Sequence, residues 1–189
     1  MKIILASASP RRKALLTEAG VEFEIIPSLR EETADKALPP AAYATALATF
    51  KAEDVASMHG GVVLGADTIV VFDGKVLGKP KDRADAVKTL RMLSGNKHQV
   101  ITGYCVFYGA YCQKSKRGCV VSDVYFNDLT DEFIEEYVNT GSCMDKAGSY
   151  GVQDGYDIVK RVEGSLSNVI GLPVNEVLAI LKEIENEEY

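Results

Sequence analysis

Histidine is scarce in this 189-residue chain. His59 and His98 are the whole complement, which excludes a three-histidine metal site, so a catalytic metal would need carboxylate ligands. Magnesium or manganese suits such oxygen ligands better than zinc does. The four cysteines, Cys105, Cys112, Cys119 and Cys143, form no CxxC pair and no close metal knuckle, and they read as reduced, packed thiols. Long apolar runs are missing too. Nothing approaches the ~20 residues of a membrane span. The opening MKIIL is too short, and the arginines after it are wrongly placed, for a secretory signal; a cytoplasmic protein is expected. Nor is there an excess of basic charge. With 27 acidic against 21 basic side chains and a net charge of −6, a nucleic-acid-binding or basic membrane-surface protein is disfavoured, and any polyanion site must be local. A Walker GxxxxGK[ST] loop, a GxGxxG turn and a GxSxG elbow are also absent, as are internal repeats and long linkers.

What the chain does have is enough apolar material, 47% of residues, to offset the ordering of one large domain or two closely coupled lobes. Lys2 to Ala6 reads as a strand. Ser9-Pro10 then supplies an N-cap and the proline that helices favour at their first position, with Gly20 as the stop. Glu22 to Pro27 reads as a strand and the alanine-rich stretch Pro39 to Met58 as a long helix. Val62 to Phe72 is apolar except around Gly65 and Ala66-Asp67-Thr68, which predicts two buried strands meeting at Asp67. Asp73-Gly74 is a hairpin signal. A helix over Asp82 to Leu93, a long antiparallel pair over 100–111 and 118–126, a helix capped by Thr130, a strand over 152–162 and a closing helix through Val174, Val177, Leu178, Leu181 and Ile184 complete the reading. Strands interleaved with helices, some joined by hairpins, imply an α/β domain with a mixed sheet.

Arg11, Arg12 and Lys13 fall in the first turn of the opening helix, where cations oppose the positive end of the macrodipole. A bound anion reverses that sign, because free N–H groups and guanidinium forks then converge on it, with Ser7 and Ser9 adding hydroxyls. The segment fits either an anion site or a solvated basic helix end. Asp67, in so apolar a stretch, either orders a tight turn or has partners that offset its desolvation. Lys79 before Pro80 and Lys51 on the alanine-rich helix are available cations. Glu31 and Glu32 could join Asp67 in binding a hard cation, and the Gln153 amide could read a base edge.

The assembly of segments resembles the Maf family of nucleoside triphosphate pyrophosphatases, related in fold to inosine triphosphate pyrophosphatases. Five motifs carry the resemblance in order: LASASPRR at 5–12, LGADTIVVFDGKVLGKPKD at 64–82, LSGNKHQVITG at 93–103, MDKAGSYGVQ at 144–153 and EGSLSNVIGLP at 163–173. The resemblance implies one catalytic domain over 1–189, with a mixed sheet, flanking helices and a two-lobed fold with a central cleft. It implies Asp67 as the catalytic acidic residue, with Ser7, Arg11, Arg12, Lys51 and Lys79 around the phosphates and Glu32 with Asp67 at a divalent cation. Arg11, Thr68 and Gln153 are similar to the branch acting on dTTP and UTP, rather than the one acting on 7-methyl-GTP. A homodimer is implied as well. One departure is Ala46, where the family's helix often carries arginine. The alternative that the resemblance leaves is a nucleotide-sensing regulator of septum formation without turnover.

Overall fold

The computed structural model describes residues 1–29 and 34–187. Among them, β1 (Lys2–Leu5), β2 (Glu22–Ile25), β3 (Val63–Phe72), β4 (Lys75–Leu77), β5 (Lys97–Tyr108), β6 (Lys114–Phe126) and β7 (Val159–Glu163) form one mixed sheet in the order β2-β1-β3-β5-β6-β7, with β4 paired to β3, and helices flank it. The chain divides into two compact units. One comprises 1–67, 102–120 and 171–189, the other 68–101 and 121–170.

In the first unit, β1 (Lys2–Leu5) pairs in parallel with β2 (Glu22–Ile25), Lys2 opposite Glu22, and with the start of β3 (Val63–Phe72), Leu5 opposite Leu64. The two-residue period of a strand sorts the side chains onto two faces. Ile3, Leu5, Leu64 and Ala66 pack with Leu16 of α1 (Pro10–Glu18) and with Val177, Leu181 and Ile184 of α6 (Val174–Glu187). Ala6, Val63 and Cys105 face Ala52, Val55 and Ala56 of α2 (Pro40–His59). The seat of α2 is unusually close. A Cβ on Gly65 would meet the Ala48 carbonyl oxygen at 2.4 Å, and one on Gly103 would meet that of Ala44 at 2.3 Å. Only glycine on the sheet, facing alanine on the helix, allows two backbones to approach this far.

In the second unit, Asp73 and Gly74 both take positive φ (49° and 72°) and join β3 to β4 (Lys75–Leu77), which is the two-residue turn that the dipeptide signals. Asp82 caps α3 (Arg83–Leu93), accepting from the Asp85 N–H at 2.8 Å, and Thr130 caps α4 (Asp131–Asn139), accepting from the Phe133 N–H at 3.2 Å. The core joins Leu90, Leu93, Phe126, Ile134, Tyr137 and Tyr150. The strands β5 (Lys97–Tyr108) and β6 (Lys114–Phe126) are neighbours in the sheet, and β7 (Val159–Glu163) is antiparallel to β6.

Three expectations are corrected. The strand break at Asp67 does not occur, for β3 runs unbroken through it; an ion pair meets the need of the carboxylate that a turn would otherwise have met. The strand expected over 152–162 begins only at Val159. Gly151, Asp154 and Gly155 build turns before it, with the Asp154 N–H bonded to the Gly151 carbonyl and Gly155 at φ 80°. The short helix α5 (Leu166–Ile170) was not expected. The four cysteines are free thiols, and no helix among the described residues is long and apolar enough to cross a membrane.

Candidate active site

Gly65 and Asp67 lie on the same face of β3, two residues apart, and that face is the one on which α2 rests. Ala52 sits against Gly65, so its neighbour Lys51 arrives beside Asp67. There the Lys51 Nζ donates to Asp67 Oδ1 in an ion pair whose two side chains are each 15% exposed. Neither charge is fully desolvated, and each offsets the other. An ammonium and a carboxylate this enclosed are costly to separate, since removal of one leaves the other uncompensated. The sequence made each residue a candidate; it is the glycine-to-alanine approach that pairs them.

The register of β1 against β3 carries the chain after Leu5 along the same course as Gly65 to Asp67. Ala6 extends the ladder by donating to the Leu64 carbonyl at 2.8 Å. The loop that follows is tightly organised. Ser7, 8% exposed, accepts from the Ser9 N–H at 3.2 Å and from Arg12 Nη1 at 2.9 Å. A hydroxyl accepts two bonds and donates one, so what Ser7 adds toward an anion is its single O–H. Arg12 is equally buried, and its Nε donates to the Gly171 carbonyl at 2.9 Å. Much of its fork therefore ties the loop to the segment before α6. Ser9 caps α1 through the Arg12 N–H, and the first turn of that helix contains no acidic residue. Arg11 is half-buried in the same turn.

In the second unit Thr68, next to Asp67 on β3, is half-buried, whereas Lys79 and Gln153 are exposed. Gly148 links their segments. Its N–H donates to the Gly78 carbonyl at 3.1 Å, one residue before Lys79, and its Cα packs on Val70, two residues along β3 from Thr68. Glu31 and Glu32 lie outside the described residues. In the sequence Gly65 stood out only as an interruption of an apolar run, and Gly103 and Gly171 not at all. Glycine inside a strand was the available sign of a close backbone approach. A groove of about 580 Å³ beside α2, lined by Thr45, Ala46, Phe50 and Arg117, contains none of the candidate residues among those described. The departure at Ala46 falls there, away from the Lys51–Asp67 pair.

The sequence and the fold have counterparts. A sequence model of the family described as Maf-like protein matches residues 2–184. The chain belongs to the Maf-like family. Among curated relatives, the dTTP/UTP pyrophosphatase of Geobacter sulfurreducens is 48% identical, over 97% of this chain and 96% of that protein. The dTTP/UTP pyrophosphatase of Thermococcus gammatolerans is 42% identical, over 96% of each. Among solved structures, a HAM1 protein from Coxiella burnetii matches with a TM-score of 0.53 and 17% identity, over 97% of this chain and 99% of that one. The dITP/XTP pyrophosphatase of Mycobacterium abscessus matches with a TM-score of 0.50 and 16% identity, over 100% and 97%. At those identities the likeness is one of fold.

Proposed function

We propose that this Maf-like chain hydrolyses dTTP and UTP at the α-phosphorus, with water as nucleophile, pyrophosphate as leaving group and the nucleoside monophosphate as the second product. The observation that carries the reading is the enclosed ion pair between Lys51 of α2 and Asp67 of β3. The names of relatives at 42–48% identity support the substrate class.

In this reading Asp67 orients the attacking water and holds its proton at the carboxylate, and Lys51 stabilises negative charge as the α–β bridging oxygen departs. Arg11 and the Ser7 hydroxyl bind phosphate oxygens at the start of α1, where backbone N–H groups add to the field. Arg12 belongs to the same set and also fixes the loop through Gly171. Lys79 neutralises the outgoing pyrophosphate. Thr68 and Gln153, with Arg11, select the pyrimidine, the amide of Gln153 offering both a donor and an acceptor.

The chemistry of the donors fits a hard divalent cation. Among the described residues no three His, Cys, Asp or Glu side chains gather for a metal, but magnesium is commonly held by one or two carboxylates together with substrate phosphates. Asp67 would be that carboxylate, with Glu32 as its expected companion. When bound, the cation would polarise phosphoryl oxygens and acidify water. The homodimer implied by the resemblance is a further part of the reading, open to light scattering.

The test is product analysis. Pure protein with dTTP or UTP and magnesium, manganese or cobalt is expected to release pyrophosphate, and excess chelator to stop it. Nucleoside diphosphate with orthophosphate would move the attack to the γ-phosphorus and overturn the register. Tight nucleotide binding with no product would favour the sensing regulator.

A further inference from the structure

Between α4 and β7 the chain makes a run of turns around one enclosed lysine. The Lys146 side chain is 11% exposed, and its Nζ donates to the Ser142 carbonyl and pairs with Asp145 at 3.0 Å and Asp154 at 3.4 Å. Asp154 is as enclosed as Lys146 and accepts from the Tyr137 hydroxyl at 2.6 Å. That hydroxyl accepts in turn from the Gly151 N–H at 3.1 Å. The ammonium and the phenol thus close the segment from Ser142 to Asp154 into a loop. Gln153 sits in it between two fixed points, Gly151 and Asp154, with its own side chain exposed. The same loop carries Gly148, which bonds to the Gly78 carbonyl beside Lys79 and packs on Val70 of β3.

Stability alone is a weak reason for this construction. A buried ion pair is often no more stabilising than well-packed apolar residues of similar volume, whereas it does fix a geometry. Resting on the reading of Gln153 as a base-selecting residue, we propose that Lys146 and Asp154 are positioning residues that hold the Gly151–Asp154 turn so that the Gln153 amide meets the pyrimidine in one orientation. Neither touches substrate in this account; both act through Gln153. Lys146 is the hub, for its ammonium bridges the two ends of the loop.

The experiment pairs kinetics with hydrogen exchange on the full chain. Lys146→Met is expected to raise the KM for dTTP by ~10-fold with kcat within ~3-fold, and to narrow the preference for dTTP over dGTP by a similar factor. In a Gln153→Ala background the same substitution is expected to do almost nothing further, because the residue through which it acts is gone. Lys146→Arg, which keeps charge and donors, is expected to restore much of the preference. In the free protein, amides 147–155 are expected to exchange faster in Lys146→Met while those of α3 do not change. Asp154→Asn, which is nearly isosteric and can still accept from Tyr137, carries the same measurements if Lys146→Met does not fold. Equal losses with Gln153 present and in the Gln153→Ala background, a fall in kcat at constant KM, or unaltered exchange over 147–155 would each overturn the proposal. If wild-type protein releases no pyrophosphate from dTTP, the proposed function is what fails; the exchange measurement still decides whether the lysine holds the loop.

Discussion

In the first unit, α2 rests on the sheet through Gly65 and Gly103 facing alanines, while the interior of the second unit sets large rings with polar ends among its aliphatic side chains. His98, Phe126 and Tyr150 meet edge to face with centroids 4.7–5.4 Å apart, and His98 Nε2 and the Tyr150 hydroxyl share a hydrogen bond at 2.7 Å. The contrast concerns how each unit positions polar groups. Backbone-on-backbone contact leaves no slack, so the Lys51–Asp67 pair is set by where a helix lies. Side-chain networks such as Tyr137–Asp154–Lys146 can yield by rotamer, so their loss should be graded. Small residues make a rigid seat for a charge pair; long ones make an adjustable frame for the turns from Ser142 to Asp154.

Substitution at the helix seat is expected to cost the most. Gly65→Ala places a Cβ 2.4 Å from one backbone atom of α2 and 2.7 Å from another, neither able to rotate away. A destabilisation of about 3 kcal/mol is expected, at the top of the usual overpacking range, read from urea midpoints. Gly78→Ala in the second unit meets nothing within 4 Å and is the control, expected to stay within about 0.5 kcal/mol. Equal losses at the two glycines would remove the distinction.

A smaller effect sharpens the other side. Burial holds the His98 imidazole down at about 4 from an ordinary 6.5, and its Nδ1 has no hydrogen-bond partner among the described residues. Because the folded value is depressed, the unfolded chain takes up a proton first as the pH falls. Stability present above 6.5 is therefore lost on descent toward 4 and levels off below it. Between about pH 7 and pH 5 this amounts to about 2 kcal/mol. Urea unfolding of wild type and His98→Gln at both pH values is the check, the variant losing less on acidification. A slope identical in the two proteins would assign the acid sensitivity elsewhere.

The smallest effect expected is that of Tyr137→Phe. It removes one hydroxyl that donates to Asp154 and accepts from Gly151, with the ring still packed against Tyr156. About 1 kcal/mol of stability is expected to go. A loss as large as that at Gly65 would show that the second unit is no more adjustable than the first.

Elements with a local signal were legible from sequence. Ser9-Pro10, Asp82 and Thr130 mark helix starts because a cap is chemistry between residues two or three apart, and Asp73-Gly74 marks its hairpin for the same reason. Asp67 misled as a strand breaker because its partner lies 16 positions upstream on a different element. Both members of the pair were named as candidates, yet their pairing depends on the approach of α2 to Gly65, which no periodicity encodes. The stretch 152–162 suggested a strand throughout, and Asp154, Gly155 and Asp157 near its start prevailed. Lys146 and Asp154 went unremarked, since a contact across eight residues of turns has no repeat to reveal it.

If the ion pair held by the glycine-to-alanine seat is the chemical centre, Asp67→Asn removes its acidic half and nothing else. The amide is nearly isosteric, so circular dichroism and the urea midpoint are expected to stay close to wild type. Steady-state pyrophosphate release from dTTP with magnesium is expected to fall by ~10²–10³-fold, as when one preorganised polar group is removed from a reacting centre. A folded Asp67→Asn protein that turns over dTTP at close to the wild-type rate would contradict the account and reduce the Lys51–Asp67 pair to a structural tie between α2 and β3.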